Sequence, residues 1–154
     1  MATAPGRTAG TRGTRTPAQM FALVFGAVYL LVGLLGFAAT GFDNFATFSP
    51  DTLIIFSVNP LHNIVHLAIG AVWVASAAKH ESAKAANLGI GVVYLLVAVL
   101  GFLEVEFVAE LVNIREGAGD PDNFLHLVSG AAGVFFGTAG AGDRDLGERR
   151  TTTA

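Results

Sequence analysis

The sequence predicts an all-α fold, a four-helix transmembrane bundle made of two tandem repeated helical hairpins. Only 14% of the 154 residues are charged and 53% are hydrophobic, whereas about a quarter of the residues in a soluble domain are charged. The apolar residues fall into four long segments, each close to the roughly 20 residues that a helix needs to cross a bilayer. A polar motif that occurs twice pairs these segments into two hairpins.

The repeated motif begins at Asn63 and again at Asn123. The first copy reads NIVHLAIGA and the second NFLHLVSGA, so Asn, His, Leu, Gly and Ala occupy the same places. His follows Asn by three residues and Gly follows His by four, which places all three on one face of a helix. This face is therefore the predicted centre of the bundle.

The helix that precedes each motif is duplicated as well. GAVYLLVGLLGF, which begins at Gly26, shares nine of twelve residues with GVVYLLVAVLGF, which begins at Gly91. Such self-similarity indicates a repeated structural unit, and two spans per unit give both copies the same orientation in the membrane. Small residues one turn apart, such as Gly33 and Gly36, predict close packing between membrane helices.

The chain divides into one membrane domain between two tails. Residues 1–17 and 141–154 are predicted to be disordered cytoplasmic tails, because they are too polar and Gly-, Ala- and Thr-rich to form a core. Residues 18–140 form the four-span domain, with repeat one at about 18–78 and repeat two at about 85–140. The predicted spans cover residues 18–39, 60–78, 85–108 and 123–139.

The basic residues predict the orientation. Eight of the nine Lys and Arg residues lie in the tails or in the connection between the second and third spans, and only Arg115 lies on the opposite side. The positive-inside rule then predicts a multi-pass protein of the plasma membrane with both termini in the cytoplasm. Its first partner is the lipid bilayer, and a homodimer or a larger membrane complex remains open.

Several function classes are disfavoured by composition. The chain has no cysteine, which excludes disulfides and thiolate chemistry. A formal net charge of -3 does not indicate a nucleic-acid partner, and no nucleotide-binding loop or nucleophile motif occurs. The sequence thus favours a non-enzymatic structural or ligand-binding role, although an enzyme is not excluded.

The repeated face supplies the predicted cofactor-binding residues, since histidine inside an apolar helix is costly and usually has a partner. Three interpretations of the histidine pair remain open. The pair links the hairpins structurally, or supplies two axial ligands to haem b in a membrane redox protein, or lines a small-molecule, quinone or proton-handling pocket. The cofactor itself stays unknown, and the site residues are His66, His126, Asn63, Asn123, Gly70 and Gly130.

A third histidine precedes the first pair. His62 lies four residues before His66, a spacing that places two metal ligands on one helix face. Its counterpart in the second repeat is Asp122, so a cluster of three histidines and one aspartate is one interpretation. The other is a polar helix start beside a wet loop, and the metal is left unassigned.

The segments VNPLHNIVHLAIG from Val58 and DNFLHL from Asp122 resemble a family of small bacterial membrane proteins, common in actinobacteria. That family is described as domain of unknown function 4383. The resemblance covers about residues 18–140 and implies a four-span protein of the plasma membrane. It implies no activity and no ligand.

Overall fold

The structure, a computed structural model, describes residues 14–139. The two predicted tails lie almost wholly outside the described residues, so their disorder stays a prediction. Within the described range the all-α prediction is confirmed, because five α-helices make up most of the chain. The elements are α1 (Pro17–Thr40), β1 (Thr52–Leu53), β2 (Phe56–Ser57), α2 (Pro60–Ser76), α3 (His80–Phe102), α4 (Glu106–Leu111), a 3₁₀ helix (Gly117–Gly119) and α5 (Pro121–Thr138).

Three of the helices begin in the same way, with proline in the first turn behind a capping side chain. Thr16 caps α1 in a reciprocal pair with Gln19, Asn59 caps α2 and Asp120 caps α5. Proline suits this position because its missing N–H would have no partner there, while the cap accepts a hydrogen bond from a free N–H. These starts are therefore set by local sequence.

Within residues 14–139, two helices are long and apolar enough to cross a membrane. Helix α1 has 24 residues and a mean hydropathy of 2.4, and α3 has 23 residues and a mean hydropathy of 2.2. Each is about 35 Å long, against a hydrocarbon layer of about 30 Å. Helix α2 is apolar but has 17 residues, and α5 has 18. The membrane assignment thus holds by length and composition for α1 and α3.

The distribution of side chains is inverted relative to a soluble protein. Among the described residues, fifteen polar or charged side chains are buried, compared with eleven hydrophobic ones. Large apolar side chains point outward instead, and Leu34 and Leu96 are 62% and 57% exposed. Contiguous apolar surface of this kind marks contact with a membrane or a partner, so the pattern agrees with a lipid environment.

Each shorter helix packs closely against the longer helix that precedes it. A Cβ added at Gly70 of α2 would lie 2.8 Å from the backbone nitrogen of Leu30 in α1. The equivalent Gly130 of α5 would place a Cβ 2.8 Å from the backbone nitrogen of Leu95 in α3. Only glycine permits such a close approach of two backbones, and the two helix pairs make it at corresponding positions.

The third helix differs from the predicted span at both ends. It begins at His80, within the predicted polar connection, because Glu81 in the first turn suits the positive end of the helix dipole. It ends at Phe102, before the predicted Val108, because the backbone turns at Glu104 with a φ of 56°. A positive φ is incompatible with a right-handed helix, so α4 is a separate element.

The predicted loop 40–59 contains a small antiparallel hairpin, in which Thr52 pairs with Ser57 and Leu53 with Phe56. Ile54, at its tip, has a φ of 65° and is 87% exposed. Strands of two residues have no periodicity that a sequence could reveal. The hairpin lies over the N-terminal end of α5, as contacts between β2 and α5 show.

Candidate functional site

The two repeated histidines lie against the two repeated tyrosines. The His66 ring centroid is 4.9 Å from that of Tyr29, and the His126 ring centroid is 5.2 Å from that of Tyr94. The tyrosine rings are themselves 5.8 Å apart, and Trp73 packs beside both. The interior next to the histidines is thus an aromatic layer shared by both hairpins.

His62 joins these residues into one cluster. Its ring centroid lies 4.5 Å from that of His66 and 6.2 Å from that of His126. One possible ligand atom each of His62, Asp122 and His126 lies within 4.8 Å of the other two. We refer to His62, His66, Asp122 and His126 as the histidine cluster; all four side chains are buried.

Much of the polar surface of the cluster lacks a hydrogen-bond partner. Both ring nitrogens of His62, Nδ1 of His66, Nδ1 of His126 and Oδ2 of Asp122 are buried without one. The backbone of Ser57 approaches both His62 and Asp122 without forming a well-aligned bond. Buried polar groups are ordinarily satisfied, and each unpaired one costs about 1–3 kcal/mol.

The neighbouring Asp120 shows the opposite arrangement. Its Oδ1 accepts the backbone N–H of Asp122 at 2.9 Å. Its Oδ2 accepts those of Arg115 at 2.8 Å and Glu116 at 3.1 Å. Both oxygens of Asp120 are therefore occupied in holding the start of α5 and the turn before it. Oδ2 of Asp122, by contrast, accepts no hydrogen bond among the described residues.

The repeated asparagines donate to groups other than the imidazoles. Nδ2 of Asn63 donates to Oγ1 of Thr40 at 3.0 Å, and Nδ2 of Asn123 donates to the carbonyl of Gly117 at 2.9 Å. Each Oδ1 lies close over a glycine of the preceding helix, Gly36 or Gly101. The asparagines thus link the two helices within each hairpin.

The repeated glycines also lie between helices. Gly70 faces the backbone of α1 and Gly130 faces that of α3. Of the six predicted site residues, His66 and His126 belong to the histidine cluster, while the asparagines and glycines lie at the packing surfaces within the hairpins. The predicted role of all six in binding a cofactor stays a prediction.

Two cavities adjoin the cluster. The larger, of about 220 Å³, is lined by His66 and Asp122, by Tyr29 and Val32, and by residues of the small hairpin. The smaller, of about 50 Å³, lies among the three histidines of the cluster and Tyr94. His66 and Asp122 therefore take part in the lining of the larger cavity, but the surface that faces this space is apolar.

Haem does not fit this interior. Pockets for drug-sized ligands measure about 300–1,000 Å³, and both cavities beside the histidines are smaller. The space between the histidines is already filled by the rings of Tyr29, Tyr94 and Trp73. A ligand of much smaller size matches the available volume better.

The residues that cover the cluster were not recognisable from sequence. Asn113 accepts the backbone N–H of Ser49 at 2.9 Å and donates to its carbonyl at 3.2 Å. Nδ2 of Asn59 donates to the carbonyls of Glu110 and Leu111, at 3.4 Å each. These bonds hold the loop after α1 against the segment after α3. No periodicity or motif marks such a long-range pair, although asparagine in a turn is an ordinary signal of local structure.

The fold and the cluster define a class: a helical protein with two helices suited to cross a membrane and a buried group of histidine and aspartate at one end. The chain belongs to the family described as "Domain of unknown function (DUF4383)", whose family model matches residues 19–139. The resemblance seen in the sequence is thereby confirmed, while its association with actinobacteria stays a prediction. Comparisons with curated proteins and with solved structures found no match.

Proposed function

We propose that the protein is a plasma-membrane bundle of four spans, built from two tandem hairpins with both termini in the cytoplasm. The glycine contacts that α2 makes with α1 and that α5 makes with α3 occur at equivalent residues. The outward apolar side chains and the distribution of basic residues agree with this arrangement. Assembly into a homodimer or a larger complex stays a prediction.

Single cysteines test this topology, since the chain has none of its own. In intact cells, a membrane-impermeant maleimide should label Ile54→Cys in the outer hairpin. It should label Lys79→Cys, in the connection before α3, only after the membrane is permeabilised. Both positions are exposed, so burial does not limit the reaction. Labelling of both from the same side would exclude four spans, because α2 would then not cross the membrane.

We further propose that the bundle binds a small apolar molecule carrying one hydrogen-bonding group, without catalysing a reaction. The observation that supports this proposal is the cavity of about 220 Å³, whose apolar lining includes His66 and Asp122. Small-molecule sites typically combine apolar walls with a few polar groups that fix orientation. Nδ1 of His66, which is buried without a partner among the described residues, would supply such a group on turning toward the cavity.

Filling the cavity tests the proposal. Val32 lines the cavity, and Val32→Trp should occupy its volume. Native mass spectrometry of protein extracted in mild detergent should show a small bound molecule on the wild type, with occupancy at least tenfold lower in the variant.

Val92→Trp is the matched control, because Val92 is exposed on α3, and it should keep the molecule. Equal occupancy in all three proteins, or none in the wild type, would contradict the proposal. A Soret band in the same preparation, lost when His66 and His126 are replaced, would contradict both this proposal and the conclusion that haem does not fit the interior.

A further inference from the structure

We propose that His62, Asp122 and His126 form a binding site for a divalent transition-metal ion of the zinc type. One ligand atom of each lies within 4.8 Å of the other two, and all three residues are buried. The inference goes beyond the proposed small-molecule site, because the metal is held by atoms that face one another across the two hairpins. The two proposals can therefore fail separately.

Each of the three residues has at least one possible ligand atom without a hydrogen-bond partner among the described residues. Both nitrogens of His62, Nδ1 of His126 and Oδ2 of Asp122 have no partner in the described structure. All three residues are at most 3% exposed, so bulk water does not satisfy these atoms. A cation bound by imidazole nitrogen and carboxylate oxygen would remove the cost of these unpaired groups.

The geometry is close to that of a three-ligand zinc site. Zinc binds histidine nitrogen and carboxylate oxygen at about 2.0–2.2 Å in tetrahedral geometry, so two ligand atoms on one ion lie roughly 3.3–3.6 Å apart. The possible ligand atoms of the three residues, which lie within 4.8 Å of one another, would have to approach by up to about 1.5 Å to reach that separation. Three protein ligands leave a fourth position open, and the His66 ring, 4.5 Å from that of His62, is adjacent.

The local charge is compatible with a cation. The N-termini of α2 and α5 both lie at the cluster, and each contributes roughly half a positive charge. The carboxyl group of Asp120 lies beside them, and a bound cation would favour the ionised form of Asp122 over the neutral form that burial favours. The carboxylate oxygens of Asp120 accept hydrogen bonds from backbone N–H groups. Asp122 is therefore the carboxyl group that is available to bind the ion.

The donor set selects the class of ion. Two imidazoles and one carboxylate suit zinc and similar first-row metals, whereas magnesium and calcium prefer sites built from oxygen alone. The absence of cysteine from the sequence disfavours ions that require thiolate.

Cobalt(II) provides the test, because its visible absorption reports coordination by nitrogen and oxygen ligands. The full chain is purified in detergent with a tag that contains no histidine, stripped with a chelator and titrated with Co²⁺, then with Zn²⁺ as competitor. We expect one Co²⁺ per chain, displaced by Zn²⁺. His62→Asn and Asp122→Asn should each weaken binding at least tenfold.

The fourth histidine is the matched control. His80 begins α3 at the opposite end of the bundle and its Nδ1 is paired with Oγ1 of Thr16 at 2.8 Å, so His80→Asn should bind Co²⁺ as the wild type does. No cobalt spectrum from the wild type would overturn the proposal. So would a spectrum lost in His80→Asn and retained in the cluster variants.

A second measurement does not depend on whether the variants fold. Zinc K-edge absorption of the zinc-loaded wild type should show scattering from two imidazole rings at first-shell distances typical of nitrogen and oxygen. A spectrum without imidazole scattering would overturn the site. Loss of the small molecule in Val32→Trp would not affect this result. If that variant kept the metal, the metal site would be supported independently of the small-molecule site.

Discussion

Replacement of Gly91 by leucine is expected to separate α3 from α5 and to prevent the second hairpin from forming. A Cβ at Gly91 would lie 2.6 Å from the backbone nitrogen of Val134, 2.9 Å from the carbonyl oxygen of Gly130 and 2.9 Å from the carbonyl carbon of Gly133. All three are backbone atoms, which cannot move as a flexible side chain does. We expect a loss of more than about 3 kcal/mol, beyond the usual cost of overpacking.

The control for this substitution lies on the same helix. Gly89 has no atom within 4 Å of an added Cβ, so Gly89→Leu should be neutral or slightly stabilising, since leucine favours helix more than glycine does. Unfolding of both variants and the wild type by detergent titration, followed by circular dichroism, makes the comparison. Equal stability of the two leucine variants would show that α3 and α5 do not approach at Gly91.

Loss of the Asp120 carboxylate is expected to have the second largest effect. In Asp120→Ala the backbone N–H groups of Arg115, Glu116 and Asp122 all lose their acceptor, and α5 loses its cap. Hydrogen bonds to a charged group contribute about 1.5–3 kcal/mol each. Because the three share one carboxylate, we expect a combined loss of about 3–5 kcal/mol in the free energy of unfolding.

Two further substitutions serve as comparisons for Asp120→Ala. Asp120→Asn keeps one acceptor oxygen and should lie between the wild type and Asp120→Ala. Asp43→Ala removes an exposed carboxylate from the loop after α1 and should change stability by less than about 0.5 kcal/mol. If Asp120→Ala were as stable as Asp43→Ala, the turn before α5 would not depend on this side chain.

The sequence was most informative where local chemistry decides structure. Apolar length identified α1 and α3 as helices suited to cross a membrane, and proline behind a capping residue marks the starts of α1, α2 and α5. The spacing of the repeated motif placed its histidines on buried helix faces. These features depend on neighbours within one or two helical turns, so the sequence alone is enough to predict them.

The ends of α3 and the small hairpin could not be predicted from local sequence. Glu104 ends α3 by adopting a positive φ, although the apolar pattern continues beyond it. Its side chain accepts the backbone N–H of Ala118 at 3.1 Å, a contact made across the turn. A helix end that depends on such contacts has no local signal.

What the sequence alone determined is the class of molecule: a helical chain with long apolar segments and a doubled motif that carries histidine on a buried face. Only the tertiary structure decided which groups meet there. His62 lies beside Asp122 and His126 because the starts of α2 and α5, which are far apart along the chain, converge in the fold. Helical spacing specifies which residues share a face, but the packing of the hairpins determines which faces meet, and hence where unpaired ligand atoms converge.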